Sequence, residues 1–197
     1  MRPEFISPQA ARLGTRRLIL RAQQMSDAPA ITACLQDWDV TKTLARVPFP
    51  YRLTDAREWL KGEQERRAAG EAYAFAITRR DDPAGFCIGV CALGQREDGE
   101  MNLGFWLGRP FWGQGLMTEA VSSVLRFGFV GLGLARIHSG YFRGNEASRR
   151  VHEKMGFAVT GEGPMFCRAQ GAELPHIDLA LPWHGWRGPA KPVELVT

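Results

Sequence analysis

Arg109-Pro110-Phe111-Trp112-Gly113-Gln114-Gly115-Leu116-Met117-Thr118-Glu119-Ala120 joins a glycine-punctuated turn to an amphipathic helix. Just before it, Leu103-Gly104-Phe105-Trp106-Leu107 reads as a strand. A helix start offers unpaired N–H groups and the positive end of the dipole. Two glycines let backbone approach a phosphate closely. The unit is therefore read as an anion site. It lacks the third glycine of a dinucleotide fingerprint, whose place Thr118 takes, and it lacks the Gly-Lys-Ser/Thr of a nucleoside-triphosphate loop.

Working outward, the chain has 197 residues, enough for one good core and marginal for two domains. The formal net charge is +4, with the basic residues scattered as pairs such as Arg16-Arg17, Arg66-Arg67, Arg79-Arg80 and Arg149-Arg150. No block of like charge forms a nucleic-acid arm, so a nucleic-acid partner is not expected. Four cysteines (Cys34, Cys87, Cys91, Cys167) form no C-x-x-C, and no His stands at zinc-ligand spacing, so no metal is expected. Cys87 and Cys91, four apart in a strand-like run, read as packed thiols on one face. The N-terminus lacks the apolar stretch of a signal peptide, and no apolar run approaches the roughly 20 residues of a membrane span. These features predict a reduced, cytoplasmic protein with no membrane partner.

Along the chain, residues 1–14 read as an irregular lead-in and 15–21 as a first strand. Ser26 or Asp27 caps a helix to about Leu35, and Thr54 caps a second ending at Gly70. Strands follow over 72–78, 86–93 and 100–107. The helix after the signature turn runs from Gly115 to about Leu132, with apolar residues at helical spacing. A strand over 136–141, a helix capped by Asn145 and stopped at Gly156, and closing strands over 157–160 and 177–181 complete the order. The predicted fold is a single mixed α/β domain over 15–181, followed by a tail, 182–197, whose Trp183 and Trp186 cap the sheet or meet a second subunit in a homodimer.

A second string, Asn145-Glu146-Ala147-Ser148-Arg149-Arg150-Val151-His152-Glu153-Lys154-Met155-Gly156-Phe157, weighs against a turn with no ligand. Together the two strings resemble the GNAT superfamily of acetyl-CoA-dependent N-acetyltransferases, and within it the ribosomal-protein N-terminal acetyltransferase branch (RimJ/RimL type). The resemblance rests on Gly104-Phe105-Trp106-Leu107, Phe111-Trp112-Gly113-Gln114-Gly115, Thr118-Glu119-Ala120, Asn145-x-x-Ser148 and Glu153-Lys154-Met155-Gly156-Phe157, with the opening Thr15–Arg21. It implies an α+β fold whose mostly antiparallel central sheet splays in the middle, flanked by about four helices. It further implies that backbone N–H groups over Gly113, Gln114, Gly115, Leu116, Met117 and Thr118 wrap the pyrophosphate of coenzyme A. Phe105, Trp106 and Leu107 would pair with the pantetheine arm, Asn145 and Ser148 would lie beside the thioester, and Arg109 would contact a phosphate.

Acyl transfer to an amine needs a neutral amine, a stabilised oxyanion and a protonated leaving thiol. Where the branch often carries Glu, this chain has Asn102; Glu100, two residues earlier on the same strand face, is the candidate base, with water alone as the alternative. Ser148 is the first candidate acid, and His152, one helical turn on, is the second. The acceptor implied is a protein N-terminal α-amine, such as that of a ribosomal protein. A small amine, amino acid or antibiotic, or acyl-CoA binding without catalysis, are the other readings.

Overall fold

The computed structural model describes residues 8–186 and 194–195. The rest of the expected lead-in and tail lies outside the described residues. The core is a mixed sheet of nine strands: β1 (Leu13–Gly14), β2 (Leu18–Ala22), β3 (Ala72–Arg79), β4 (Gly89–Gln95), β5 (Met101–Leu107), β6 (Arg136–Phe142), β7 (Ala158–Cys167), β8 (Ala172–Pro182) and β9 (Glu194–Leu195). Their order is β7-β8-β6-β5-β4-β3-β2-β1-β9. Every neighbouring pair is antiparallel except β5 and β6, which run parallel.

Five helices cover the sheet: α1 (Ala28–Leu35), the short α2 (Trp38–Thr41), α3 (Leu53–Ala69), α4 (Leu116–Arg126) and α5 (Glu146–Met155). Strand alternation sorts the apolar residues into two cores. Leu103 and Leu107 of β5 and Ile137 of β6 pack beneath α4 with Val121, Val124 and Leu125. Ala76, Val90 and Trp106 point the other way, against Ile31 and Leu35 of α1 and Leu60 of α3.

Several boundaries differ from the expected ones, each for a local reason. Ala11 and Leu13 are buried, and Leu13–Gly14 already pair with β2, so ordered structure begins before residue 15. The second long helix starts at Leu53 because the Asp55 carboxylate, rather than the Thr54 hydroxyl, closes the first turn by accepting the Arg52 N–H at 2.7 Å. β4 begins only at Gly89, so Cys87 lies outside its alternation. Cys87 consequently packs with α1 and Cys91 with α4, on opposite faces rather than one. β7 and β8 form a long hairpin whose tip docks on the segment after α2, with the Arg168 N–H donating to the Ala45 carbonyl at 2.8 Å. Trp183 and Trp186 pack against Phe129 with tilted rings, centroids 5.7 and 5.6 Å apart, at one end of the sheet.

β4 and β5 approach closely at one glycine. A Cβ on Gly89 would lie 2.6 Å from the Trp106 carbonyl and 3.0 Å from the Leu107 Cα, both backbone atoms that cannot swing away. A Cβ on Gly104 would meet nothing within 4 Å. Gly89→Ala is therefore expected to lower the stability measured by urea unfolding by about 1–3 kcal/mol. Gly104→Ala is expected to leave it within about 0.5 kcal/mol.

Candidate active site

The site lies where β5 and β6 part. They share only the register pairs Met101–Ile137 and Asn102–His138. The Ser139 hydroxyl then donates to the Leu103 carbonyl at 2.8 Å, and beyond it the strands diverge. Successive residues of a strand direct their backbone groups to opposite edges. The Gly108 N–H points to β4, where it reaches the Ile88 carbonyl at 2.8 Å. Phe105 and Leu107 therefore aim their N–H and C=O groups toward the gap. The Trp112 indole N–H takes up the Leu107 carbonyl at 2.6 Å. The Phe105 backbone groups and the Leu107 N–H thus line a slot able to pair with an extended ligand.

At the end of β5, the chain makes a short 3-10 turn over Arg109–Phe111 and reaches α4 through Gly113 and Gly115, each with φ of 72°. A side chain at either would be strained in that left-handed region. Gly115 is the N-cap of α4 and supplies no side-chain cap. The first-turn N–H groups of Leu116, Met117 and Thr118 thus face outward beside exposed Gly113, Gln114 and Gly115, while the side chains of Leu116 and Met117 are buried. This is a ready anion cradle.

Glu119 pins the cradle. Its Oε1 accepts from the Thr15 hydroxyl at 2.5 Å and the Arg17 N–H at 2.8 Å, and its Oε2 accepts from the Arg17 Nε at 2.7 Å. Burial alone would raise the Glu119 pKa, but these hydrogen bonds and the guanidinium outweigh it and hold the carboxyl below its ordinary range. Arg17 also donates to the Gln114 carbonyl at 2.9 Å, leaving a cation beside the turn. Arg109, the residue expected to contact a phosphate, is exposed and pairs with Asp39 at 2.8 Å and with Asp37 at 3.8 Å, which fastens the turn to α2. The signal for Arg17 available in the sequence is its place in the Thr15–Arg21 opening, which belongs to the resemblance.

Across the gap, Asn145 caps α5 by accepting the Ser148 N–H at 3.1 Å, so its side-chain oxygen is spent on the helix. Ser148 stays partly open and lies one turn from His152. His152 is not on the surface: it is 2% exposed, packed among Phe105, Tyr141 and Phe157. Its Nε2 is 2.7 Å from the Ser139 hydroxyl, and its Nδ1 is 2.9 Å from the Ser148 carbonyl and 3.4 Å from the Ser148 hydroxyl. A protonated ring would satisfy both ends, but burial drives its pKa down to about 4, against the pull of the Ser148 carbonyl and with a further push from His176. At neutral pH the ring is uncharged, and its single N–H serves either the Ser139 or the Ser148 end. A chain of groups thus runs from Leu103 through Ser139 and His152 to Ser148.

Glu100 does not join that chain. It stands before β5 in the β4–β5 turn, half exposed, 3.9 Å from His138 at the closed end of the strand pair. Three residues of strand, roughly 10 Å, separate it from Leu103. Trp106 packs on the α1 side of β5. The buried thiols Cys87 and Cys91 have pKa values raised by desolvation, which suits packing and not nucleophilic work. Among the described residues, no group of three or more His, Cys, Asp or Glu is placed to hold a metal, and no helix is long and apolar enough to cross a membrane.

A family model described as an acetyltransferase (GNAT) domain matches residues 17–158. An uncharacterized N-acetyltransferase, p20, of Bacillus licheniformis is 30% identical over 151 residues, covering 76% of this chain and 83% of the relative. The fold is similar to that of Mycobacterium smegmatis RimJ in complex with CoA-disulfide, with a TM-score of 0.78 at 20% identity over 90% of each chain. It is also similar to the ribosomal-protein-S5-alanine acetyltransferase of Vibrio fischeri, with a TM-score of 0.75 at 21% identity, covering 89% of this chain and 98% of that one.

The Glu119 clamp has a pH signature. Because its folded pKa is lowered, its contribution to stability is complete above the unfolded carboxyl value and is lost as pH falls through the lower folded one. Glu119→Gln is expected to lower stability at neutral pH by about 1–3 kcal/mol and to flatten the acid limb of the urea midpoint against pH. An unchanged acid limb would show that the clamp contributes nothing there.

Proposed function

The chain belongs to the GNAT acetyltransferase family, and from that premise we propose that it moves the acetyl group of acetyl-CoA to a protein N-terminal α-amine by direct attack in a ternary complex. The observation that carries the donor half is the pairing of an uncapped α4 N-terminus with an unpaired stretch of β5 edge. The first takes the pyrophosphate, through Gly113 to Thr118 with Arg17 beside them. The second pairs with the pantetheine arm as an added strand does, which directs the thioester toward Leu103, Ser139 and Ser148.

Ser148 is the group proposed to protonate the departing sulfur, with neutral His152 behind it as a positioning residue. A ring whose pKa is pushed to about 4 is a poor direct acid at neutral pH, but its Nδ1 can hold the Ser148 hydroxyl in place. Asn145 acts by fixing the first turn of α5 and with it Ser148. An α-amine, with an ordinary pKa of roughly 8 against roughly 10.4 for lysine, is the acceptor that needs least help to become neutral. The similarity to a ribosomal-protein-S5-alanine acetyltransferase supports the same acceptor class.

The reading is tested by thiol release from acetyl-CoA in the presence of peptides with free N-termini, N-blocked lysine peptides, amino acids and polyamines. Turnover confined to free N-termini is expected; turnover confined to polyamines or amino acids would overturn the acceptor, and binding without turnover would leave an acyl-CoA sensor. Gly115→Trp is expected to abolish the thermal stabilisation given by coenzyme A, because the side chain enters the cradle. Ser148→Ala is expected to lower kcat on the order of 10²-fold while the KM for acetyl-CoA holds.

A further inference from the structure

His176 and Asp178 stand two residues apart on β8 and share a face of the sheet. The His176 Nδ1 lies 3.0 Å from an Asp178 carboxylate oxygen. A carboxylate only accepts, so Nδ1 carries the proton and the neutral ring keeps its lone pair on Nε2. That nitrogen makes no hydrogen bond among the described residues, and it is not among the buried atoms left unpaired. An imidazole oriented by a carboxylate, with its second nitrogen free, is the arrangement of a general base.

Its place in the fold gives that chemistry a use. Asp178 is opposite Gly140 and His176 opposite Phe142 on β6. The ring lies directly over Gly140: a Cβ there would stand 2.2 Å from His176 Cε1 and 2.7 Å from Nε2. The edge of Phe142 holds the ring from one side, with centroids 5.6 Å apart at 80°. On the other side β7 presents Gly163 and Gly161, which bring no side chain against the pair. Continuing the β5–β6 register from Asn102 and His138 brings Gly140 level with Gly104, the first point at which the strands have parted. The dyad therefore stands at the mouth of the gap on the face away from α5.

We propose that His176, held by Asp178, is the general base that takes the proton of the acceptor amine, an assignment that rests on the acetyl-transfer reading. The amine nitrogen attacks the thioester carbonyl carbon, a C–N bond forms, and the N–H proton passes to Nε2. The C–S bond breaks with its electron pair on sulfur. The sulfur takes up a proton in place of the one left on Nε2, so that amine and thioester give amide and thiol. The other titratable or charged groups around the dyad are His138 of β6, the ion pair of Arg143 with Glu162 of β7, and His152 through the sheet. Glu100 faces His138 at the closed end, so His176 stands at the gap where the carboxylate does not.

Two readouts decide it. Long-range nitrogen–proton spectra of the histidine-labelled full chain are expected to show His176 as the Nδ1–H tautomer, with its signals moving when saturating acetyl-CoA is added. An Nε2–H tautomer, or signals unmoved by bound acetyl-CoA, would overturn the assignment. With acetyl-CoA and peptides bearing free N-termini, His176→Gln is expected to lower kcat by roughly 10²–10⁴-fold with the KM for acetyl-CoA and the stabilisation by coenzyme A retained. Asp178→Asn, which keeps the side-chain shape if the first variant fails to fold, is expected to give a smaller loss and to shift the acidic limb of the kcat profile. Wild-type kcat and limb in these variants would also overturn it. Should the wild type acetylate no amine, it is the acetyl-transfer reading that fails, while the tautomer and its response to acetyl-CoA still judge the base.

Discussion

The bond from the Ser139 hydroxyl to the Leu103 carbonyl sits at the vertex on which this architecture depends. Behind it β5 and β6 are a parallel pair; ahead of it they are two walls. A parallel contact this short is weak in itself. It holds because each strand is fully paired on its other edge, β5 by β4 and β6 by β8. The antiparallel halves carry the sheet, so the middle is free to open. An open edge inside a sheet would ordinarily be a liability, since unpaired backbone groups seek a partner. Here the edge is short, and one of its carbonyls is already taken by Trp112.

The same logic of support from outside applies to the cradle. A helix that begins at a left-handed glycine with no side-chain cap gives up a stabilising contact. Glu119 restores an anchor from within the first turn, but it reaches away from the open N–H groups, to Thr15 and Arg17 at the start of β2. The helix end is thus fixed without being filled. A carboxylate capping its own N-terminus would have satisfied the same dipole and blocked the anion site.

Local features of the site were legible in the sequence and distant ones were not. Gly113 and Gly115 mark the turn in the sequence, where the structure shows positive φ at both, and the apolar spacing after Gly115 marks the helix. Asn145 is readable as a helix cap, and its side-chain oxygen accepts the Ser148 N–H. Arg17 is harder to read as a neighbour of the cradle than Arg109, because it arrives from the bend before β2, 102 positions from Glu119. His152 is readable as sharing a helix face with Ser148, but not as buried; Phe105, Tyr141 and Phe157, from three other segments, enclose it. The β7–β8 hairpin was underestimated because Gly161, Gly163, Pro164 and Pro175 interrupt the alternation that marks a strand. The two strands persist because the register between them continues through those residues, with one irregularity at Val159–Gly161.

Those interruptions also explain how opposite faces of one sheet come to differ in chemistry. On the α5 side, Phe105, Tyr141 and Phe157 enclose His152, and burial keeps its ring uncharged. On the other side, Gly140, Gly161 and Gly163 remove three side chains from around His176 and Asp178. A single substituent at Gly140 would occupy the space of the ring itself. Two imidazoles thus flank one strand in opposite environments, one desolvated with a polar neighbour at each nitrogen, the other oriented on one nitrogen and bare on the second. Two rings placed in such different surroundings are suited to different roles. The strand between them, β6, is the one that swings away from β5, so both rings border the gap from opposite faces. In the proposed transfer, the sheet itself keeps the proton steps on its two faces apart.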